Sequence, residues 1–163
     1  MTSFRRILLI TPAALAVAAL VGCATTPAPA TIAETAARTP QLSMLNKLIV
    51  DAGLTETLRG AGPFTVFAPS DEAFKAVPAK TMAELAANKE LLRSVLTYHV
   101  VPGKVMAADV KTANVKSVQG ANLGMGRAGT FVTVEDAVVT QADVAATNGV
   151  VHIIDKVMMP PRR

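Results

Sequence analysis

Cysteine is nearly absent from this 163-residue sequence, in which Cys23 is the only one. A disulfide would need a second chain, so no disulfide framework holds the fold together. Tryptophan is missing as well, and aromatic residues make up only 4% of the chain. Because large aromatic side chains are so scarce, a hydrophobic core has to be assembled from Val, Ile, Leu, Met and a few Phe side chains.

A strong excess of charge is also lacking. The formal net charge of +4 includes Arg5 and Arg6, which precede an apolar N-terminal run. Without these two residues, 14 basic residues face 12 acidic ones, and the net charge falls to +2. The remaining basic residues are scattered, except for Arg162-Arg163 in the short tail 161–163. Such a weak and dispersed charge does not predict a nucleic-acid partner.

Residues 1–22 have the pattern of a secretory signal peptide. Arg5-Arg6 form a positive start, and an apolar run follows over residues 7–21. This run is about 15 residues long, which is shorter than the ~20 residues needed to span a bilayer. The pattern therefore predicts export of the chain and removal of this segment.

The end of the apolar run, Leu20-Val21-Gly22-Cys23, resembles the bacterial lipobox. The resemblance implies that the Cys23 thiol is lipidated and that Cys23 becomes the new N-terminus, whereas cleavage after Ala24 or Ala28 would release a soluble protein. Bacterial lipoproteins carry three acyl chains, and one chain alone gives only marginal membrane binding. Since Ala24 and not Asp follows the cysteine, we expect the outer membrane, on its periplasmic or surface face.

Residues 23–40 are rich in Ala, Thr and Pro and show no apolar period. This composition predicts a semi-extended tether that holds a folded domain away from the membrane. Within it, Ile32 to Arg38 could form one or two helical turns.

The stretch 62–74 combines a chain break, a strand and the start of a helix. Gly62-Pro63 interrupts the preceding structure, Phe64–Ala68 is apolar and rich in strand formers, and Pro69 ends this run. Ser70 follows as a helix N-cap, with acidic residues in the first turn after it. We therefore expect a buried strand that leads directly into a helix.

Hydrophobic periodicity and turn residues divide the rest of the domain, residues 41–160, into helices and strands. Helices are predicted at 42–52, 54–59, 81–87, 88–96 and 105–110, the third opening with a capping box at residues 81–84. Strands are predicted at 98–101, 115–118, 122–125, 130–134, 137–140 and 150–154, with a hairpin loop at 126–129 and a helical or irregular piece at 143–147. Helices early and strands late are typical of an α+β fold.

Three segments together resemble the fasciclin domain: Gly62–Phe74, Leu96–Gly103 with its Tyr-His motif, and Asn148–Val157. Their order and spacing fit the family, and the likeness runs from about residue 41 to 160. The resemblance implies a compact α+β domain in which two small sheets form a β-sandwich or wedge, with helices at one side and edge. It also implies that the first and last segments lie on adjacent central strands.

Members of the fasciclin family are mostly extracellular or cell-surface proteins associated with adhesion and with matrix or cell contact. Many are anchored to a membrane, and enzymatic activity is not their known role. In some animal members the Tyr-His segment is implicated in integrin binding. The matching positions, Tyr98 and His99, are therefore a partner-contact motif implied by the resemblance, although a bacterial lipoprotein has no evident integrin partner.

His99 and His152 are the only histidines. Strand alternation places each on a packed face, where its ring needs hydrogen-bond partners. A metal pair completed by Asp155 or Asp71 is the functional alternative, but two histidines without a third ligand at suitable spacing make a poor metal site. We therefore expect both rings to form structural hydrogen bonds in the core.

Three further patterns have simple structural interpretations. Ser70 lacks the flanking glycines of a nucleophile elbow, so helix capping is the expected role. Gly124–Gly129 matches G-x-G-x-x-G, but a strand follows it where a dinucleotide site needs a helix. Met158-Met159 is interpreted as packing at a strand end, with a soft partner-contact surface as the alternative.

The sequence thus predicts a non-enzymatic, lipid-anchored interaction domain of the cell envelope or surface, active in adhesion or matrix contact and without a cofactor. Its partners would be the membrane, reached through the anchor, and an unidentified protein or polysaccharide surface. The alternative is a carrier or sensor of a small apolar ligand held between sheets and helices. A large apolar pocket would favour the carrier, and a filled core would favour adhesion.

Overall fold

The computed structural model describes residues 30–161. The predicted signal peptide, Cys23, the first part of the predicted tether and the two C-terminal arginines lie outside the described residues. None of the helices formed by residues 30–161 is long and apolar enough to pass through a bilayer.

Helices precede most of the strands along the described chain, as predicted. The helices are α1 Ile32–Arg38, α2 Ser43–Asp51, α3 Thr55–Arg59, α4 Asp71–Lys75, α5 Ala79–Ala87 and α6 Lys89–Tyr98, with a 3-10 turn at Pro40–Leu42. The strands are β1 Phe64–Pro69, β2 Val100–Pro102, β3 Ala113–Lys116, β4 Asn122–Ala128, β5 Phe131–Val134, β6 Ala137–Ala146 and β7 Gly149–Ile154. The predicted helices at 42–52 and 54–59, the strand ending at Pro69 and the β4–β5 hairpin are confirmed.

The strands form one sheet in the order β2-β1-β7-β6-β5-β4-β3. β1 and β7 are parallel, and every other neighbouring pair is antiparallel. The two edges nearly meet, because the Val118 N–H just after β3 donates to the Val100 carbonyl of β2 at 2.8 Å. Helices packed on a nearly closed sheet confirm the α+β class, with the two expected sheets continuous with one another.

The strand directions define two ends of the domain. At the proximal end, where the Thr147 N–H donates to the Ala30 carbonyl at 2.9 Å, β1, β3, β5 and β7 begin and β2, β4 and β6 end. The connections at this end span residues 60–63, 103–112, 129–130 and 147–148. The distal end carries the connections at 117–121 and 135–136, the start of α4 and the residues after β7.

Alternating residues of β1 and β7 supply two hydrophobic cores, one on each face of the sheet. The first lies under the helices and includes Val66, Ala68, Val151 and Ile153. The second fills the inside of the curled sheet and includes Phe67, Leu123, Val134 and Ile154. All six residues of β7 are buried, which confirms its prediction as a central strand covered on both faces.

The helical turns predicted for Ile32 to Arg38 are confirmed, but the tether predicted over residues 23–40 is wrong in placing them outside the folded domain. Residues 32–38 form helix α1, and Ile32 is only 1% exposed. A capping box starts this helix: the Glu34 N–H donates to the Thr31 hydroxyl, and the Thr31 N–H donates to the Glu34 carboxylate. The latter bond lowers the pKa of Glu34. The helix is part of the folded domain because burial of Ile32 fixes it to the first core.

The strand predicted at 98–101 is wrong in its first half. Tyr98 is the last residue of α6, and His99 is its C-cap. Only Val100 and Val101 enter β2. The apolar face of α6, which includes Leu92 and Val95, continues to Tyr98, and the helix therefore extends into the run of strand formers.

Other local predictions also need correction. Residues 105–110 form no helix but a turn in which the Asp109 N–H donates to the Met106 carbonyl. The piece at 143–147 belongs to β6 as far as Ala146, with a break in register near Asp143, whose φ is 57°. Helix α5 begins at Ala79 without a side-chain cap, so the capping box at residues 81–84 is absent. The hairpin loop is two residues long, because β4 runs through Ala128.

Candidate functional site

The first and last segments of the family-like pattern form the centre of the sheet. β1 and β7 pair in parallel from Phe64 opposite Gly149 to Pro69 opposite Ile154, which confirms their predicted placement on adjacent central strands. Gly149 is required at its position because a Cβ there would collide with the Phe64 carbonyl oxygen. These segments therefore build the core of the domain and do not form an accessible surface.

Ser70 and Asp71 both cap helices at the distal end of the sheet. The Ser70 hydroxyl accepts a hydrogen bond from the Ala73 N–H at 3.2 Å, at the start of α4. The Asp71 carboxylate accepts one from the Ser43 hydroxyl at 2.6 Å and one from the Met44 N–H at 2.8 Å. Asp71 thereby caps α2, whose own preceding residue offers no side-chain cap.

His99 is 2% exposed and joins α6 to the C-terminal segment. Its Nε2 accepts a hydrogen bond from the Met158 N–H at 3.0 Å, so the proton of the neutral ring is on Nδ1, which donates to the Val95 carbonyl at 2.7 Å. Burial lowers the pKa of His99 to about 4, although the bond to Val95 opposes this shift. The ring is therefore neutral at pH 7 and acts as a two-sided hydrogen-bonding link.

His152 is 1% exposed and lies on β7 inside the curled sheet. Its Nδ1 accepts a hydrogen bond from the Asp143 N–H at 3.1 Å, and its Nε2 donates to the Val105 carbonyl at 2.8 Å. The ring also stacks on Phe67, with 5.5 Å between ring centroids. His152 therefore holds the β2–β3 connection and the irregular part of β6 against the central strand.

The hydrogen bonds of the four ring nitrogens contradict a metal site formed by the two histidines, because each nitrogen is hydrogen-bonded to a backbone group. The proposed third ligands are also engaged elsewhere: Asp71 caps α2, and Asp155 accepts from the Val138 N–H at 2.7 Å. Over residues 30–161, His, Cys, Asp and Glu side chains form no group of three or more that could hold a metal ion.

Tyr98 and His99 do not form a partner-contact surface in this structure. Their side chains are 3% and 2% exposed. The Tyr98 hydroxyl donates to the Asn122 carbonyl at 3.3 Å, and burial, with a smaller effect of Glu135, raises the pKa of Tyr98. Direct recognition through this pair, which the family resemblance implied, is therefore contradicted by its burial.

Residues 124–129 lie on β4 and at the hairpin turn, with no helix after them, so the glycine pattern is not a dinucleotide site. The two methionines differ: Met158 is 1% exposed and packs in the second core, whereas Met159 is 42% exposed. Packing is therefore the role of Met158 alone.

Asn148, the first residue of the last family-like segment, is a structural residue whose side chain links distant parts of the chain. Its Nδ2 donates to the Leu58 carbonyl at 2.7 Å and to the Gly60 carbonyl at 3.0 Å. Its Oδ1 accepts from the Ile32 N–H at 2.9 Å. Asn148 thus joins α1 and the end of α3 to the turn before β7. These partners are about 90 or more residues away in sequence, and only the capping pattern Thr31–Glu34 could have indicated a nearby helix start.

Two concave surfaces of the described domain differ from a typical pocket for an apolar ligand. An apolar crevice between α2, α3, α6 and β1 holds about 30 Å³, close to the volume of one water molecule. A wider groove of about 780 Å³ lies between α5 and residues 156–160. It is open to solvent, and its lining includes the exposed ion pair of Lys156 and Asp136, 3.7 Å apart.

Comparison with known proteins identifies the domain. The model of the fasciclin domain matches residues 40–160. The Synechocystis protein sll1483 is 46% identical over 145 residues, which cover 88% of this chain and 81% of that protein. The cell surface glycolipoprotein MPB83 of Mycobacterium bovis is 37% identical over 135 residues, 80% of this chain and 60% of the relative.

A solved structure is similar as well. The FAS1 domain pair of the insect cell adhesion molecule Fasciclin I superposes with a TM-score of 0.62 at 26% identity, covering 74% of this chain and 46% of the insect chain. The chain therefore spans less than half of that two-domain structure.

Proposed function

Because this chain belongs to the fasciclin-domain family, we propose that it is a non-enzymatic, lipid-anchored interaction domain of the cell envelope that mediates adhesion or contact with a matrix or another cell. The observation that carries the proposal is the match of the family over residues 40–160. The insect protein of similar structure is a cell adhesion molecule by its name, and MPB83 is named a cell surface glycolipoprotein.

Anchoring rests on Cys23, the only cysteine of the chain, at the end of Leu20-Val21-Gly22. A thioether to diacylglycerol requires a cysteine thiol, and several acyl chains give stable membrane binding where one chain does not. The chain is thus exported and held at a membrane, in our proposal the outer membrane.

A non-enzymatic role is supported by the way the chemically capable side chains are used. His99, His152, Ser70 and Asp71 each bond backbone groups that hold helices and strands together. A catalytic site needs titratable groups that converge in a cleft with room for a substrate. In residues 30–161 these four side chains serve the fold instead.

The carrier hypothesis gains no support from the described domain. Pockets for small ligands usually enclose about 300–1,000 Å³ and are lined mainly by apolar side chains. The apolar crevice holds about 30 Å³, and the larger groove is open and partly charged. A filled core favours adhesion, in which a protein or polysaccharide partner meets the exposed loops.

The experiment that tests this proposal has two readouts on the same cells. Mass spectrometry of the mature protein should show an acylated N-terminal Cys23, and the Cys23→Ser variant should lack the modification and leave the membrane fraction. Crosslinking on intact cells should then capture an envelope or surface partner with the anchored protein. An unmodified wild-type N-terminus would refute anchoring, and absence of any crosslinked surface partner would refute the contact role.

A further inference from the structure

The β4–β5 hairpin places an exposed aromatic side chain at the proximal end of the domain. Phe131 is 64% exposed, the most exposed large apolar residue among those described, and it pairs with Ala128 across the two-residue turn. The neighbouring Arg127 is fixed in place: its Nε donates to the Gly129 carbonyl at 3.0 Å and its Nη1 to the Ala108 carbonyl at 2.9 Å. The hairpin end thus carries an exposed aromatic ring on one face, and Arg127, on the other face, is held by two backbone carbonyls.

The N-terminal segment reaches the domain at this same end. The Ala30 carbonyl accepts from the Thr147 N–H in the β6–β7 turn, and Cys23 lies seven positions before Ala30. A fully extended chain of that length spans at most about 25 Å. A domain of about 130 residues is roughly 35 Å across. An anchor at Cys23 is therefore too short to let the distal end turn toward the bilayer.

The distal end carries more net negative charge than the proximal end, as expected if the proximal end faces anionic lipid. Basic side chains at the proximal end are Lys104, Lys111, Arg127 and Arg59, and the acidic ones are Asp109, Asp143, Glu34 and Glu56, so this end is close to neutral overall. Arg59 and Glu56 form an exposed ion pair at 3.3 Å. The Asp143 carboxylate is also engaged by the Ala107 N–H at 2.9 Å. The distal end carries more acid than base, with Asp71, Glu72, Glu135, Asp136 and Asp155 beside Lys75, Lys116 and Lys156.

We propose that the proximal end lies on the phospholipid bilayer, with Phe131 inserted among the headgroups and the basic side chains around it facing anionic lipid. The proposal rests on the acylation of Cys23 proposed above. Aromatic rings favour the interfacial region of a bilayer, and lysine and arginine side chains are attracted to anionic headgroups within a Debye length. The distal loops then face away from the membrane, toward a partner.

The absence of tryptophan from the chain allows a direct test. Phe131→Trp places a single indole at the hairpin tip, and Val118→Trp places one at the distal end, where Val118 is 44% exposed. Each full-length acylated variant is incorporated into vesicles of phosphatidylcholine and phosphatidylglycerol whose acyl chains are brominated or not. Flotation with the vesicles reports the anchor, and tryptophan quenching by bromine reports contact with lipid.

We expect both variants to float and only the indole at position 131 to be quenched, by about twofold or more, with an emission shift to shorter wavelength. Replacing phosphatidylglycerol by phosphatidylcholine should weaken this quenching. Flotation with equal, weak quenching at both positions would overturn the orientation while leaving the anchor intact. Failure to float would refute the anchor and the orientation together. A blue shift at position 131 in the non-acylated Cys23→Ser form, measured without vesicles or detergent, would show that protein already covers the ring and would also overturn the proposal.

Discussion

Acid should weaken the fold through His99, whose ring is neutral and bonded on both sides. Protonation of Nε2 would place an N–H against the Met158 N–H, which now donates to that nitrogen at 3.0 Å. The folded state holds the pKa of His99 at about 4, against an ordinary value of 6.5. Between these two pH values the unfolded chain binds more protons than the folded one, so the free energy of unfolding falls as the pH is lowered.

The size of this effect follows from the two pKa values. At about 1.4 kcal/mol for each tenfold change in proton affinity, the shift from 6.5 to about 4 corresponds to a loss of about 3 kcal/mol between pH 7 and pH 4. The contribution of His99 is fully present above pH 6.5 and is lost as the pH falls toward 4. Since whole domains have only about 5–15 kcal/mol of stability, the loss is readily measurable.

Urea unfolding of wild type and of His99→Gln at several pH values between 4 and 7 provides the assay. The variant should be less stable at pH 7, because backbone groups of Val95 or Met158 lose a partner. The free energy of unfolding of the variant should depend less on pH. The values for wild type and variant, plotted against pH, should therefore approach each other as the pH falls to 4. Acidic groups that titrate in the same range affect both proteins equally. Two parallel curves would refute the assignment of the pH dependence to His99.

Five further substitutions, two of which are controls, test the hydrogen bonds and close contacts around the central strands. Asn148→Ala removes three hydrogen bonds to backbone groups and should lower the free energy of unfolding by about 3 kcal/mol in urea titration; a loss below 1 kcal/mol would contradict the linking role. Gly149→Ala brings a methyl group against the Phe64 carbonyl and should cost about 3 kcal/mol or more, whereas Gly124→Ala, whose Cβ meets its nearest neighbour at 3.6 Å, should leave the melting temperature nearly unchanged. Ser70→Ala should cost about 1 kcal/mol and Ser70→Asp should retain the cap; equal losses in both variants, measured by thermal unfolding, would count against capping.

Local sequence chemistry predicted the elements whose determinants lie within a few residues. The break at Gly62-Pro63, the apolar strand after it and the Ser70 cap are all encoded within 62–74, and the structure has β1 and α4 there. The cap at Asn88 was predicted from local sequence in the same way. The Asn88 side chain accepts hydrogen bonds from the N–H groups of Glu90 and Leu91 at the start of α6.

Elements whose conformation depends on distant partners were not predictable in this way. Gln141 to Ala146 contains few strand formers, yet it joins β6 because β7 pairs with it on both sides of a break in register. The bend that this strand requires occurs near Asp143, at a positive φ. Sequence alone therefore suggests an irregular piece where pairing with the central strand imposes an extended one.

The candidate site was predicted less fully than the fold. Both histidines were expected to bond in the core, and hydrogen bonds to distant backbone groups surround each ring. The identity of those groups depends on the tertiary fold, because the bonded residues are far apart in sequence. Met158 is 59 residues from His99, and Val105 is 47 residues from His152. The accessibility of Tyr98 could not be inferred from its family-like motif, because burial at the end of α6 is set by tertiary packing.

The proposed contact role is tested most directly by the adhesion of cells that carry, lack or mislocalise this protein. Attachment to a surface and to other cells is compared for a deletion strain and for the same strain producing wild type or Cys23→Ser at equal levels. We predict reduced attachment in the deletion strain, recovery with wild type and no recovery with Cys23→Ser, although that variant retains the folded domain. Normal attachment of the deletion strain would contradict the adhesion role, and full recovery with Cys23→Ser would contradict the need for an anchor.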